Sequence, residues 1–408
     1  MNNNDMQFYM KRRDYNVSEL QSKMVTGRKI NNLRDDPLAA AHSVRLQSSI
    51  NRIGQFQKNA SYVDGRYREV EGYMQEVMDI YHRLREIAVQ GANGTYSQEE
   101  RNNMAYEVNE LVNELVRIAN ATGDSGIMLF GGSDTKGAPF VTAEGRVPGI
   151  DHAVVKQVVY TGNVEPNMVE IADSSVINST FPGNKVFWAE NQKIFAANGA
   201  ENYVVQQDGV ITIDGVNIAL QSGDNVYSII QKINDSNTAV KATLDPVTNG
   251  MILSSTTPHQ IWLDEPAEQT ILKDLGLLAP GGNKPPENIH PDAMVAGGSL
   301  FDTAIQLRDN LLSGDYELIG TQSLAQIDTA EDTLLKNLTD LGAQSKRLEI
   351  TQTRLSKLEL DYTQTESRTA DLDMTEAITE LKMYEYLQKA SYQTAGKILQ
   401  PSLMDFLR

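Results

Sequence analysis

Residues 39–88 read AAAHSVRLQSSINRIGQFQKNASYVDGRYREVEGYMQEVMDIYHRLREIA. Along this stretch the side chains that step by three and four are almost all apolar: Ala39, Leu46, Ile53, Phe56, Ala60, Val63, Tyr67, Val70, Met74, Val77, Tyr81, Leu84 and Ala88. Only His42 and Ser49 interrupt the series. Residues spaced this way share one face of an α-helix, and a heptad seam of this length predicts a long helix in coiled-coil packing. At about 1.5 Å per residue the rod would run roughly 75 Å. No compact domain needs such a rod, whereas an elongated assembly does.

The ends of the rod are legible too. Asp35-Asp36-Pro37 offers a carboxylate N-cap and a proline at the first helical position, where its missing N–H costs nothing. An acidic pair of this kind could also hold Mg²⁺ or act as an acid and base, but helix onset accounts for both residues. Gly91 to Gly94 ends the rod. Ser97 with Glu100 forms a capping-box pattern for a second helix, whose expected buried stripe is Met104, Val108, Leu111, Leu115 and Ile118. Thr122 to Gly126 is a turn cluster that stops it.

The middle of the chain changes period. Ile127–Phe130, Val154–Tyr160, Val210–Leu220, Ala239–Leu244 and Met251–Ser254 read as strands, with Asp214-Gly215 and Asn249-Gly250 as hairpin turns. A short helix, Val226 to Asn234, lies among them. This β-rich stretch is long enough for its own core. Pro280 to Pro291 reads as a linker back to helix.

The last third is helical again. Ser299 to Leu312 is one helix, stopped by Ser313-Gly314-Asp315. Ile327, Leu334, Leu341, Leu348, Leu355 and Tyr362 then recur every seven residues. The expected fold class is therefore α+β: an antiparallel helical bundle made by residues 1–135 and 298–408, interrupted by a β-rich insert at 136–297. The bundle core is assigned to Val63, Tyr67, Val70, Met74, Val77, Tyr81 and Leu84 facing Ile327, Leu334, Leu341, Leu348 and Leu355. Met6–Met24 and Met374–Leu407 are amphipathic with no evident partner inside the chain. Met374, Ala377, Leu381, Tyr384 and Ile398 are therefore assigned to contact with other subunits.

Composition narrows the function. The 408 residues include no cysteine and carry a net charge of −18. That excludes disulfides, thiolate metal sites and cysteine nucleophiles. It also argues against nucleic acid or an anionic membrane surface as partner. The charge is uneven: residues 1–95 sum to +3 and residues 120–300 to −11, so the first segment suits an acidic partner segment. No run is long and apolar enough to span a membrane, and no standard cleavable signal peptide opens the chain. The five histidines fall at no ligand spacing, and there is no serine elbow or phosphate-binding lysine loop. Gly131-Gly132 reads as a turn, and Asp371 with Asp373 as capping charge for the last helix. Lys11-Arg12-Arg13 is too short a basic run to claim nucleic acid. Trp188, Trp262 and Tyr203 could stack on a glycan, but core or strand positions explain them more simply. No catalytic residue, metal, cofactor or small-molecule substrate is assigned.

Several motifs resemble one family in the correct order. Thr26-Gly27-Arg28-Lys29-Ile30-Asn31 running into Asp35-Asp36-Pro37-Leu38-Ala39-Ala40 resembles the N-terminal signature of flagellins and their relatives. Gly94-Thr95-Tyr96-Ser97 with Glu99-Glu100-Arg101 resembles the turn into the family's second helix. Leu341-Gly342-Ala343-Gln344, Arg347-Leu348-Glu349 and Ala370-Asp371-Leu372-Asp373-Met374 resemble its C-terminal signature. Gly209 to Gly215, the helix to Asn234 and Met251 to Ser255 resemble the small motif called IN, near residues 205–265.

Within the family, four features resemble junction-type members more than filament subunits. They are Asp36-Pro37, the run Leu129-Phe130-Gly131-Gly132 to Phe140, the helix from Phe301 to Asp309, and the ending Ser402-Leu403-Met404-Asp405-Phe406-Leu407. The resemblance implies a non-enzymatic axial protein of the bacterial flagellum. Such a protein is exported without a cleaved signal, with a cytoplasmic export chaperone on its C-terminal region. Hook-associated protein 1, flagellin and a ring of its own copies would be its partners, in an external or periplasmic flagellum. Filament flagellin is the alternative reading, and an adhesin-like surface protein using the insert is a third. Family members usually open about ten residues before the position that matches Met6, a region that carries export information, so the resemblance implies that this chain starts late or is trimmed.

Overall fold

The computed structural model describes residues 3–399 except Leu33, Ser125, Thr135, Gly282 and Asn283, with side chains from Phe8 to Thr394. The motif Ser402 to Leu407 and the side chain of Ile398 lie outside the described residues. The chain divides into two compact units, residues 1–58 with 350–408 and residues 59–349.

The helices are α1 (Asn3–Thr26), α2 (Pro37–Gly91), α3 (Gln98–Ala119), α4 (Gly183–Val186), α5 (Val226–Asp235), α6 (Ile271–Asp274), α7 (Leu300–Ser313), α8 (Tyr316–Leu318), α9 (Leu324–Ala370) and α10 (Met374–Leu399). At 55 residues, α2 is the long helix that the seam predicts. Asp36 Oδ1 accepts from the backbone N–H of Leu38 at 3.1 Å and of Ala39 at 3.0 Å, which caps α2. Asp35 does a different job. It accepts from the N–H of Asn32 at 2.9 Å and of Asn31 at 3.2 Å, closing the preceding loop. The Asn32 hydrogen bond is the main cause holding the Asp35 carboxyl below its ordinary value. Ser97 and Glu100 form the reciprocal capping box at α3. Its buried stripe is Ala105, Val108, Val112, Leu115 and Ile118, with Met104 and Leu111 only partly covered.

In the unit of residues 59–349, α2 runs antiparallel to both α3 and α9. Tyr67, His82 and Arg85 meet Gln344, Glu331 and Asp328, so α9 numbers fall as α2 numbers rise. Arg83 meets Glu107, and Arg117 approaches Glu76, which gives the same direction for α3. Gly314, at φ +76°, ends α7 in the left-handed conformation. Between α8 and α9 the chain adds a π-helical turn, Ile319–Ser323, with both end residues fully buried.

Among the described residues, eleven strands lie between α3 and α7. Strands β1 (Phe140–Gly145) and β2 (Val154–Tyr160) form one hairpin, and β3 (Met168–Ala172) and β4 (Ser175–Asn178) another. The rest are β5 (Lys193–Gly199), β6 (Gly209–Ile213), β7 (Val216–Leu220), β8 (Val240–Leu244), β9 (Gly250–Ser255), β10 (Leu263–Asp264) and β11 (Met294–Ala296). They pair in the orders β10-β6-β7 and β11-β5-β9-β8. Asp214 at φ 51° and Gly215 at φ 79° make the tight β6–β7 turn expected of Asp-Gly.

Three expectations change. Ile127–Phe130 is not a strand: Met128 bridges to Thr122, while Leu129 and Phe130 bury into the helical core. Pro280 to Pro291 is not a free linker. Ala279 donates to Asn288, His290 donates to Leu277, and Asn288 Nδ2 reaches Leu263 O at 2.8 Å, closing a loop onto the insert. The cores also cut the chain elsewhere than the 135/136 boundary. Phe140, Val155, Val158, Tyr160, Ile171, Ile177 and Phe187 join the helical core, and a separate core spans Ile194 to Leu278. The first two hairpins are short and two-stranded, so they need the helices to bury a face.

Candidate assembly surface and its support

The helical core gathers eleven of the twelve seam residues assigned to it. Val63, Tyr67, Val70, Met74, Val77, Tyr81, Leu84, Ile327, Leu334, Leu341 and Leu348 belong to one cluster. Leu355 belongs to another, with Ile53 and Phe56 and with Tyr362 against it, in the unit of residues 1–58 and 350–408. The seam was legible because each position repeats the same helical step.

The sequence reading missed the buried polar groups that fix this core. Arg308 is fully buried on the apolar face of α7. Its Nη1 donates to Val155 O at 2.7 Å and to Asn109 Oδ1 at 3.2 Å, and its Nε donates to Asp309 Oδ1 at 2.9 Å. A cation on the stripe formed by Leu300, Ala304, Leu307 and Leu311 was the signal that could have found it. Arg66 is also buried, with Nε donating to Ser179 O at 2.9 Å. Tyr67 donates to Asn178 O at 2.7 Å and Tyr81 to Leu300 O at 2.5 Å. Burial pushes the Tyr67 phenol up to about 12, and it pushes Tyr81 far above its ordinary value. Arg308, Arg66 and Tyr67 tie helices to the hairpins through backbone carbonyls, and Tyr81 ties α2 to α7 in the same way; a mismatch would leave a buried acceptor unpaired.

The aromatics considered for glycan stacking sit in or against cores. Trp188 is buried, and Trp262 packs against the helical core beside Tyr160. Tyr203 packs against the insert core, where burial raises its phenol to about 12. A cleft of about 200 Å³ opens among Met74, Phe181, Lys185, Asn337, Asp340 and Gln344. Among the described residues, no group of three His, Asp or Glu could hold a metal ion, and no helix is long and apolar enough to cross a membrane.

The terminal helices have an intrachain partner, which corrects the expectation that they lack one. In the unit of residues 1–58 and 350–408, α1 packs on α10. Asp14 Oδ1 accepts from Gln388 Nε2 at 2.6 Å and from Tyr392 OH at 3.0 Å, and Arg13 Nη1 reaches Leu387 O at 3.3 Å. The α1–α2 loop is stitched to the α9–α10 joint: Lys29 N donates to Ala370 O, and Leu372 N to Gly27 O, both at 2.9 Å. Asp373 caps α10 by accepting from Thr375 and Glu376, the role its position suggests.

Of the residues assigned to subunit contact, Ala377 is 2% exposed and so already buried inside the chain. Leu381 and Tyr384 are half-buried, and Met374 is exposed. Among the described side chains, the large apolar groups left facing solvent share only Met374 with that set: Phe8, Tyr9, Tyr15 and Val25 on α1, and Met374, Ile378, Met383, Tyr386, Leu387 and Tyr392 on α10. A helix pair this apolar on its outside is suited to pack against further helices.

These features define a class: an α+β chain with long antiparallel helices and a terminal helix pair that leaves apolar groups exposed. The chain belongs to the flagellin family. The bacterial flagellin N-terminal helical region matches residues 1–135 and the C-terminal helical region residues 324–407, together more than half of the chain. The flagellin hook IN motif matches residues 204–257. A flagellar filament 31.3 kDa core protein of Treponema maltophilum is 38% identical over 31% of this chain and 43% of its own length. Flagellar hook-associated protein 3 of Salmonella typhimurium is 29% identical over 34% of this chain and 44% of its own. The chain thus spans less than half the length of these two relatives. The crystal structure of flagellar hook associated protein-3 from Legionella pneumophila aligns with a TM-score of 0.47 at 21% identity, over 79% of this chain and 96% of that one.

Proposed function

We propose that this chain is a structural, non-enzymatic adaptor at the hook–filament junction of a bacterial flagellum, acting as a flagellar hook-associated protein 3. The observation that carries this reading is one combination. Flagellin N- and C-terminal helical regions flank a hook IN motif that sits on an insert with its own core. The resemblance of Asp36-Pro37, of Leu129 to Phe140 and of Phe301 to Asp309 to junction-type members supports it. In this role the chain contacts hook-associated protein 1 on one side and flagellin on the other. Copies of itself form a ring through the terminal helices, and an export chaperone covers α10 beforehand. The protein is then exported to the flagellum, outside the cell or in the periplasm.

A deletion strain tests the proposal: electron microscopy should find hooks without filaments, and flagellin in the medium. Normal filaments would overturn it. The likeness to a Treponema filament core protein favours a second reading, filament flagellin. Polymerisation of the pure protein into long filaments would support that reading instead.

A further inference from the structure

Three Asn-Gly pairs occur in the chain: Asn93-Gly94, Asn198-Gly199 and Asn249-Gly250. A glycine after an asparagine leaves no side chain to block its own nitrogen from the amide carbon before it. The fold treats the three pairs differently. Asn249 is half-buried at φ 55°, its Nδ2 donates to Glu201 at 3.2 Å, and the Gly250 N–H is engaged by Thr248 Oγ1 at 3.3 Å. Asn198 and Gly199 lie in β5, where Gly199 pairs with Gly250 and Asn198 Nδ2 donates to Asp274 O at 3.2 Å.

Asn93 and Gly94 are exposed in the loop after α2. Among the described residues the Gly94 nitrogen has no hydrogen-bond partner. The space beside Gly94 is open, with Tyr316 3.9 Å from where a Cβ would stand. Asn93 Oδ1 accepts two hydrogen bonds from Thr95, from N–H at 3.1 Å and from Oγ1 at 3.0 Å. This turn folds the side-chain carbonyl back along the following backbone, and both donors stabilise negative charge developing on that oxygen.

We propose that Asn93 is a self-modification site, deamidating through a cyclic imide while Asn198 and Asn249 are held back. The Gly94 nitrogen bonds to Asn93 Cγ and loses its proton. The Cγ–Nδ2 bond breaks, and that nitrogen leaves as ammonia. Water then opens the ring at either carbonyl, giving aspartate or isoaspartate at position 93. Either product adds one negative charge to the loop that leads into α3, whose first turn already carries Glu99 and Glu100, and the isoaspartate also lengthens the backbone four residues before the Ser97 cap.

The test incubates the full-length folded protein at mildly alkaline pH and follows each Asn-Gly peptide by mass spectrometry, with isoaspartate assayed separately. Position 93 should convert severalfold faster than positions 198 and 249. Thr95→Val should slow it severalfold with an unchanged circular dichroism spectrum, and Gly94→Ala should slow it further. In concentrated urea the three positions should converge. Conversion at 198 or 249 keeping pace with 93 in the folded chain, or an unchanged rate in Thr95→Val, would overturn the proposal.

Discussion

Arg308 on α7 donates to the carbonyl oxygen of Val155 on β2 at 2.7 Å, and the arginine is fully buried. That bond joins the first insert hairpin to a helix 153 residues away. The same guanidinium reaches Asn109 on α3, so three elements converge on one cation. Asp309, which offsets the charge, is half-exposed. Arg308→Ala leaves the Val155 and Asn109 oxygens unpaired and opens a cavity, and should cost about 3 kcal/mol. Arg308→Lys should recover only part of that, because an ammonium lacks the planar fork. Asp309→Asn should cost about 1 kcal/mol or less. Urea denaturation followed by tryptophan fluorescence ranks the three; equal midpoints for Arg308→Ala and wild type would refute the hub.

Tyr81 is buried with its hydroxyl on Leu300 O at 2.5 Å, at the first turn of α7. Tyr81→Phe keeps the ring and removes the donor, so it should cost about 1 kcal/mol. Tyr81→Ala removes the ring as well and should cost about 3–5 kcal/mol. The gap between these two variants in thermal unfolding separates hydrogen bond from packing.

Glu265 is buried in the insert, accepting from Leu272 N at 2.8 Å with Lys273 3.2 Å away. Burial is the largest influence, and it raises the carboxyl above its ordinary 4.5 despite those partners. The folded state therefore holds the proton more tightly than the unfolded chain. Stability from this group is fully present below pH 4.5 and is lost as pH rises through the raised value. Glu265→Gln keeps an acceptor for Leu272 and removes the titration. Relative to this variant, wild type should lose stability from about pH 4.5 upward. Parallel stability–pH curves for the two proteins would contradict the assignment.

The seam of α2 was legible because one helical step recurs from Ile53 to Ala88 and each position is read by the same kind of neighbour. The Asp214-Gly215 turn and β2 were equally plain, since their residues favour one local geometry. Strands β3 and β4 were not: burial alternates along them, but apolar Met168 and Val176 fall on the solvent side, so the residue pattern does not follow it. Arg308 and Arg66 escaped for another reason. Their partners are mostly backbone carbonyls distant in sequence, which no residue pattern announces. The terminal helices were read as amphipathic, but which face α1 covers depends on Asp14 meeting Gln388 and Tyr392, a tertiary choice.

Gly54, Gly65 and Gly72 lie inside α2, and a Cβ at any of them would meet nothing within 4 Å. Packing gives no reason for glycine there, and each weakens the helix by about 0.5–1 kcal/mol relative to alanine. Each Gly→Ala change should therefore raise stability by about that amount without altering the fold. Circular dichroism melts check this; a lower midpoint at any of the three would mean that the glycine answers a need outside the isolated chain.

The outer face of α10 provides the sharpest separation between folding and assembly. Tyr386 is 73% exposed, and Ile378 is also exposed, so neither contributes much to the stability of the free chain. Ala377, one residue from Ile378, is buried, and a carboxylate there would be forced into an apolar contact. Ile378→Ser with Tyr386→Ser should leave the monomer's unfolding midpoint within about 0.5 kcal/mol of wild type, as for ordinary surface changes. The same pair should abolish incorporation into the flagellum, since it removes the apolar area that a neighbouring helix would cover. Ala377→Asp should instead lower the midpoint and release α1 from α10, visible as lost hydrogen-exchange protection around Val17 and Leu20, two buried residues of α1. If the double serine variant assembles normally while Ala377→Asp does not, the exposed face is not the one that neighbouring subunits use, and the half-buried Leu381 and Tyr384 become the residues to test.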